Sequence, residues 1–236
     1  YDRVERGQLI ATVKVIPLGV AEATAEAAAA SARAGGAPLI QVAAFTQRAC
    51  GLVQTTLPGT RDKVLAKTTE AVTARVEGLH GRLVAETRAH HDADAVARAL
   101  AELRGRGAEL ILILGASATT DRRDVIPAGI EAAGGRVRHY GMPVDPGQLL
   151  VLAEMDGVPV LALPGSARSP RVGGNDWVLW RLMAGLEVTR EDIMRMGAGG
   201  LLKEIPTRPL PRAAAAPERR PHSGGAPRIA ALILAA

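Results

Sequence analysis

The sequence predicts an α/β protein of three layers, α/β/α, whose sheet is mostly parallel with one antiparallel hairpin. Three observations predict it. From Arg48 onward, short apolar runs alternate with segments of three-and-four apolar spacing, the succession that builds parallel sheets. Leu110-Ile111-Leu112-Ile113-Leu114 is apolar without alternation, as expected of a strand covered on both faces. Asp156-Gly157 stands between two apolar runs, a strong signal for a tight hairpin.

The elements follow in chain order. Residues 7–17 read as a strand stopped by Pro17, residues 22–33 as an Ala-rich helix ended by Gly35-Gly36, and residues 39–45 as a second short strand. Together they make an appended N-terminal segment, residues 1–46. The principal domain spans residues 47–205. It opens with a strand at 50–55 and a helix at 62–79 that carries Val64, Leu65, Ala71, Val72 and Val76. A strand at 82–87 leads to a helix at 92–104, with Val96, Leu100 and Leu103 on one face. The 110–114 strand, a helix at 124–133 closed by Gly134-Gly135, and a strand at 136–141 come next. The hairpin pairs residues 148–154 with 158–163. A helix at 176–186 and a short one opened by Thr189, a natural N-cap, complete the domain.

Residues 206–228 hold six prolines, four consecutive alanines and Ser223-Gly224-Gly225, the composition of an extended linker. The apolar stretch 229–236 then reads as the first strand of a further domain.

Charge and composition exclude several classes of function. The formal net charge is +5, but five arginines and one glutamate in the linker account for +4 of it. The remainder is near neutral, and aromatics are only 2%, so a nucleic-acid groove with stacking platforms is not expected. The core must be aliphatic. Cys50 is the single cysteine, which rules out an internal disulfide and reads as a small core residue in a cytoplasmic protein. No apolar run approaches the length of a membrane span.

Two loops of small residues are the main chemical signal. The first, Gly115-Ala116-Ser117-Ala118-Thr119-Thr120-Asp121-Arg122-Arg123-Asp124, follows the all-apolar strand. The second is Pro164-Gly165-Ser166-Ala167-Arg168-Ser169-Pro170. In a parallel sheet both lie at the carboxyl edge, where ligands of open α/β folds bind. Arg122, Arg123, Arg168 and Arg171 can surround an anion, and a phosphate-bearing ligand is the natural guest. The bland alternative is a pair of ordinary strand-to-helix turns with solvated arginines. Neither Gly-x-Gly-x-x-Gly nor a Walker motif occurs.

His90-His91-Asp92-Ala93-Asp94 follows another strand. Adjacent side chains diverge and no second cluster supplies further ligands, so a transition-metal site is not expected. Asp92 is equally an N-cap, and Asp94 complements a helix dipole. A magnesium held jointly by Asp92 and Asp124 is the metal expectation. Ser166 lacks the Gly-x-Ser-x-Gly setting of an activated nucleophile. Met142-Pro143-Val144-Asp145-Pro146-Gly147 either lines the site or launches the hairpin.

Taken in order, Leu110 to Pro127, Met142 to Gly147, and Leu163-Pro164-Gly165-Ser166 resemble the molybdopterin-binding domain of molybdenum-cofactor biosynthesis proteins, over about residues 48–206. Arg122-Arg123-Asp124-Val125 and Pro127 match the ending of that family's first loop. The Gly115-Ala116-Ser117-Ala118 portion departs from its glycine-richer version. The resemblance implies a pterin-dithiolene phosphate bound across both loops. Gly115, Ser117, Thr119, Thr120, Arg122, Arg123, Pro164, Gly165, Ser166 and Arg168 would bind it, with Asp124 and Asp92 as catalytic acids and tentative magnesium ligands. Where some catalytic members carry an acid before the second helix, either His91 or Asp92 aligns. Residues 232–236 resemble the opening strand of molybdenum-cofactor nucleotidyltransferases. The arrangement is similar to two-part proteins in which a cytidylyltransferase domain attaches CMP from CTP to molybdopterin. The expected partners are molybdopterin, a nucleotidyltransferase domain or a molybdoenzyme, and a second copy of the chain. The alternatives are that this domain adenylylates molybdopterin or inserts molybdate itself, or that it is a non-catalytic interaction module.

Overall fold

The structure, a computed structural model, describes residues 3–12, 16–34, 40–197 and 230–235, the last of these by backbone only. Its elements are β1 (Arg3–Glu5), α1 (Glu22–Arg33), β2 (Ile40–Ala44), β3 (Ala49–Thr56), α2 (Asp62–Glu77), β4 (Arg82–His90), α3 (Ala93–Gly105), β5 (Leu110–Leu114), α4 (Val125–Ala132), β6 (Arg136–Tyr140), β7 (Val151–Met155), β8 (Val158–Leu163), α5 (Gly174–Met183), α6 (Arg190–Arg195) and β9 (Ala230–Ala235).

Six strands form the principal sheet in the order β4-β3-β5-β8-β7-β6. β4, β3, β5 and β8 are mutually parallel, and β7 runs against both its neighbours. The expected fold class is therefore observed, hairpin included. Asp156 and Gly157 both take positive φ, 47° and 79°, the backbone that a two-residue hairpin matched to strand twist requires.

The all-apolar strand β5 explains the three layers. Leu110, Leu112 and Leu114 join the core that α2, α5 and α6 cover through Val72, Val76, Leu179, Met183 and Ile193. Ile111 and Ile113 point the other way, into the core under α3 and α4 with Val96, Leu100, Leu103, Ile126 and Ile130. A strand alternates its side chains between faces, so a strand buried on both faces has no polar position. Cys50 is fully buried, and its thiol is pushed up to about 12, chiefly by burial, with Arg48 opposing. It is a core residue, as the sequence suggests.

Several boundaries differ from the sequence expectation. β4 runs on to His90, and α5 begins at Gly174 and stops at Met183. β7 starts only at Val151, because Met142 to Leu150 turns back on itself through the bonds Met142 N–H to the Gln148 carbonyl and Gly141 N–H to the Leu150 carbonyl. The strand expected over 7–17 is absent among the described residues; positions 13–15 lie outside them. Instead β1 ends at Glu5, where the Gln8 N–H bonds back to the Glu5 carbonyl at 3.1 Å and the Gln8 side chain accepts from the Glu5 N–H at 3.0 Å. That reciprocal pair closes a turn and leaves Leu9 and Ile10 exposed.

A second sheet joins β1, β9 and β2, all antiparallel, with β9 in the middle. The expected linker, 206–228, lies outside the described residues. No helix among the described residues is long and apolar enough to cross a membrane.

Candidate functional site

The first loop leaves β5 and runs to α4. A Cβ on Gly115 would lie 2.8 Å from the Ser117 carbonyl oxygen, so the turn out of the strand admits only glycine without movement. The Ala116 N–H donates to Thr55 Oγ1 at 2.7 Å, and Thr55 Oγ1 is 2.8 Å from His91 Nδ1. Thr55 is buried at the end of β3. Its hydroxyl accepts from the amide and also bonds the His91 ring at Nδ1. One threonine thus fixes both the first loop and the segment before α3.

Asp124 closes the other end of that loop. Its Oδ2 accepts from the Thr120 N–H at 2.6 Å, the Asp121 N–H at 3.0 Å and the Thr120 hydroxyl at 3.3 Å. Backbone donation from Asp121 and then from Thr120 holds the Asp124 carboxyl below the ordinary carboxylate range. Tyr140, from the edge strand β6, donates its hydroxyl to the Thr119 carbonyl at 2.8 Å. Its own pKa is raised, first by burial and then by the nearby Asp124 and Asp121 charges.

These ties shape a cavity of about 130 Å³ lined by His91, Ser117, Ala118, Thr119, Thr120, Asp124, Val125 and Ile126. It gathers four of the expected residues, Ser117, Thr119, Thr120 and Asp124. His91 lines it and Asp92 does not. The Asp92 carboxylate faces its own helix, accepting from the Ala95 N–H at 2.8 Å as the N-cap of α3. Arg122 and Arg123 are exposed and outside the lining, and Arg123 gives its N–H to Asp121 Oδ1 at 2.8 Å.

The two carboxylates expected to share a magnesium, Asp92 and Asp124, are each engaged by backbone donors here. Asp92 is committed to the helix cap, one Asp124 oxygen is taken by three loop donors, and no group of three or more His, Cys, Asp or Glu side chains able to hold a metal occurs among the described residues. Asp124 is an organiser of the loop.

The second loop approaches from β8. Gly165 and Ser166 are exposed at the start of a short 3-10 turn, and Pro164 is buried beneath them. Arg168 does not stand free as an anion ligand. Its guanidinium donates to the Gly115 carbonyl at 3.0 Å, so it joins the two loops, and burial lowers its pKa. Arg171 is exposed. The Met142–Gly147 loop packs beneath the start of α5 and not against the cavity: Met142 and Val144 are buried, and the Gly174 N–H donates to the Pro146 carbonyl at 2.7 Å.

Two residues of the site carried no signal in the sequence reading. Thr55 is a threonine near a strand end, and Tyr140 an aromatic on an edge strand. Their partners lie 61, 36 and 21 positions away, which no local pattern reveals.

No protein-family model matches this sequence, and a search of curated proteins finds no match. Solved structures do resemble it. One is a molybdopterin biosynthesis MoeA protein from Pyrococcus horikosii, at 18% identity and a TM-score of 0.43, covering 59% of this chain and 35% of that one, so the chain spans about a third of that structure's length. Another is the tungsten cofactor synthesizing protein MoaB from Pyrococcus furiosus, at 16% identity and a TM-score of 0.39, covering 58% of this chain and 92% of that one. A third is a candidate molybdenum cofactor biosynthesis protein from Corynebacterium diphtheriae, at 15% identity and a TM-score of 0.38, covering 61% and 100% respectively.

Proposed function

We propose that this chain binds molybdopterin in molybdenum-cofactor biosynthesis, holding the pterin phosphate at the carboxyl edge of the sheet. The observation that carries the reading is the first loop, folded by Asp124, Thr55 and Tyr140 around a small cavity with Ser117, Thr119, Thr120 and His91 in its wall. Hydroxyls and loop amides are donors that an anionic oxygen needs. A carboxylate beside an anion is unfavourable in isolation, but here three donors already draw on the Asp124 charge. The Arg122-Arg123-Asp124 and Leu163-Pro164-Gly165-Ser166 motifs, met in that order, agree with this ligand. Ser166 and Gly165 are exposed on a loop tied directly to Gly115, within the same edge of the sheet.

The finer reading is presentation. Positioning and charge neutralisation are most of what phosphoryl-type transfer asks of a protein. A domain that grips the phosphate could offer it to a fused or separate cytidylyltransferase, which would supply CTP and the metal. Calorimetry with molybdopterin tests the binding step. The wild-type chain is expected to bind without added metal, and Asp124→Ala to bind about tenfold more weakly, the equivalent of one lost hydrogen bond to a charged group. Unaltered affinity in Asp124→Ala would sink the role given to this loop. ATP- and magnesium-dependent turnover by the chain alone would move the reading to adenylyl transfer.

A further inference from the structure

The second loop, residues 164–173, is gripped by arginine side chains at two points. One is Arg168, inside the loop, which reaches Gly115. The other comes from outside. Arg75 lies in the last turn of α2 and points across to the loop's exit. Its Nε donates to Asp176 Oδ1 at 2.9 Å. One terminal nitrogen donates to the Ser169 carbonyl and, at 3.1 Å, to the Arg171 carbonyl. The other donates to the Ala71 carbonyl of its own helix at 3.2 Å. Asp176 uses its second oxygen to accept the Gly173 N–H at 2.7 Å. Three of the four Arg75 acceptors, and the bond made by its partner, therefore fall on residues 169–176.

The pair is almost withdrawn from water, with side-chain exposures of 10% for Arg75 and 5% for Asp176. A buried ion pair is weak evidence for stability, since well-packed apolar residues of like volume often serve as well. What apolar residues cannot do is hold two backbone carbonyls in fixed positions. The planar guanidinium presents donors in a rigid fork; an ammonium could keep Asp176 but could not span all three acceptors. Surface loops are mobile unless their backbone is bonded to something rigid, and α2 is a sixteen-residue helix packed on the sheet.

We propose that Arg75 is a positioning residue for the ligand site, acting through the carbonyls of Ser169 and Arg171 to keep Pro164-Gly165-Ser166 in place beside the first loop. This rests on the molybdopterin-binding reading for its ligand, and on the geometry alone for its hold over the loop. None of the Arg75 hydrogen bonds reaches a residue lining the first-loop cavity.

The test compares Arg75→Lys, Arg75→Met and wild type, each as the full chain, by hydrogen exchange and by calorimetry with molybdopterin. The amides of Ala167, Ser169 and Arg171 report the loop, because their bonds lie within it. Both variants are expected to exchange there about tenfold faster, as the loss of a hydrogen bond from a charged donor implies, and to bind molybdopterin about tenfold more weakly. Exchange in β5 should not change. Arg75→Lys should recover the melting temperature of wild type, because its charge still meets Asp176, but not the affinity. Wild-type exchange and affinity in Arg75→Lys would overturn the proposal, leaving only a charge pair between α2 and α5. A lowered melting temperature with unchanged affinity in Arg75→Met would do the same. Should Arg75→Met fail to fold, Arg75→Lys decides by itself. Should wild type not bind molybdopterin, the proposed function falls, and the exchange measurements still decide whether Arg75 holds the loop.

Discussion

Asp124 is the residue on which the first loop closes, and its chemistry sets a pH dependence. Its folded-state pKa lies below the ordinary value of 3.8 because Asp121 and Thr120 donate to the ionised form. The stabilisation this gives the loop is present above the unfolded pKa and is lost as pH falls through the lowered one. Thr120 and Asp121 amide resonances are therefore expected to hold their positions from neutrality down to about pH 4 and to shift together below it. In Asp124→Asn that joint transition should be missing; its persistence would show that Asp124 is not the group the two amides report. Thr55 makes the second residue-scale case. Thr55→Val keeps the shape but strands the half-buried Ala116 N–H, which costs about 1 kcal/mol, the net worth of one hydrogen bond. Urea denaturation of Thr55→Val should show a loss of that size, and a loss below about 0.5 kcal/mol would mean that the amide finds another partner. The sequence pointed to Asp124 through the run in which it stands. It could not point to Thr55, whose role depends on where β3 ends relative to β5 and α3.

At the scale of elements, legibility followed burial. β5 has no polar position, so it announced itself, and Asp156-Gly157 marked the hairpin through backbone chemistry that few dipeptides satisfy. The stretch 7–17 misled because an apolar run makes a strand only where a neighbour supplies hydrogen bonds, and among the described residues Leu9 and Ile10 are exposed and belong to no sheet. The contact between α3 and α4 was also hidden. Gly129 sits in mid-helix, where glycine is normally unfavourable, yet a Cβ there would come within 2.6 Å of Val96 Cβ and 3.0 Å of the Ala93 carbonyl. Its absent side chain lets α4 lie close on the N-terminal half of α3, next to the segment that carries His91. Gly129→Ala gains helix propensity but must push the helices apart. The expected balance is a net destabilisation of about 1–3 kcal/mol, the usual cost of overpacking. Chemical denaturation measures it, and a stabilised Gly129→Ala would show that the contact yields easily. Because α4 begins at the Asp124 end of the first loop, the same substitution should also weaken ligand binding.

Across the whole molecule, the two sheets differ in how they are built. The six-stranded sheet also joins distant segments, β3 to β5 and β5 to β8, but its α/β alternation could be read one unit at a time. The three-stranded sheet joins residues 3–5 and 40–44 to residues 230–235, with β9 in the middle. No periodicity predicts such a pairing, since β1 and β2 are short and β9 reads equally well as a strand of anything. The small sheet adjoins the principal domain near α2 and α5: Ala43 of β2 packs against the core under these helices, and Arg3 lines a cavity of about 210 Å³ together with Ala74, Arg75 and Trp180. Helix α1, between β1 and β2, buries no residue at all. The principal domain has its own two cores, to which the small sheet adds Ala43 at the margin of one. A chain ending at residue 228 removes the strand between β1 and β2 and leaves both with unpaired edges. Hydrogen exchange should find β1 and β2 unprotected in that variant while β3, β5 and β8 exchange as before. Its melting temperature should fall by less than about 3 °C, which for a domain of this size corresponds to under about 1 kcal/mol. A larger fall, or faster exchange in β3, would mean that the small sheet supports the α2 face, and with it the Arg75 grip on the second loop.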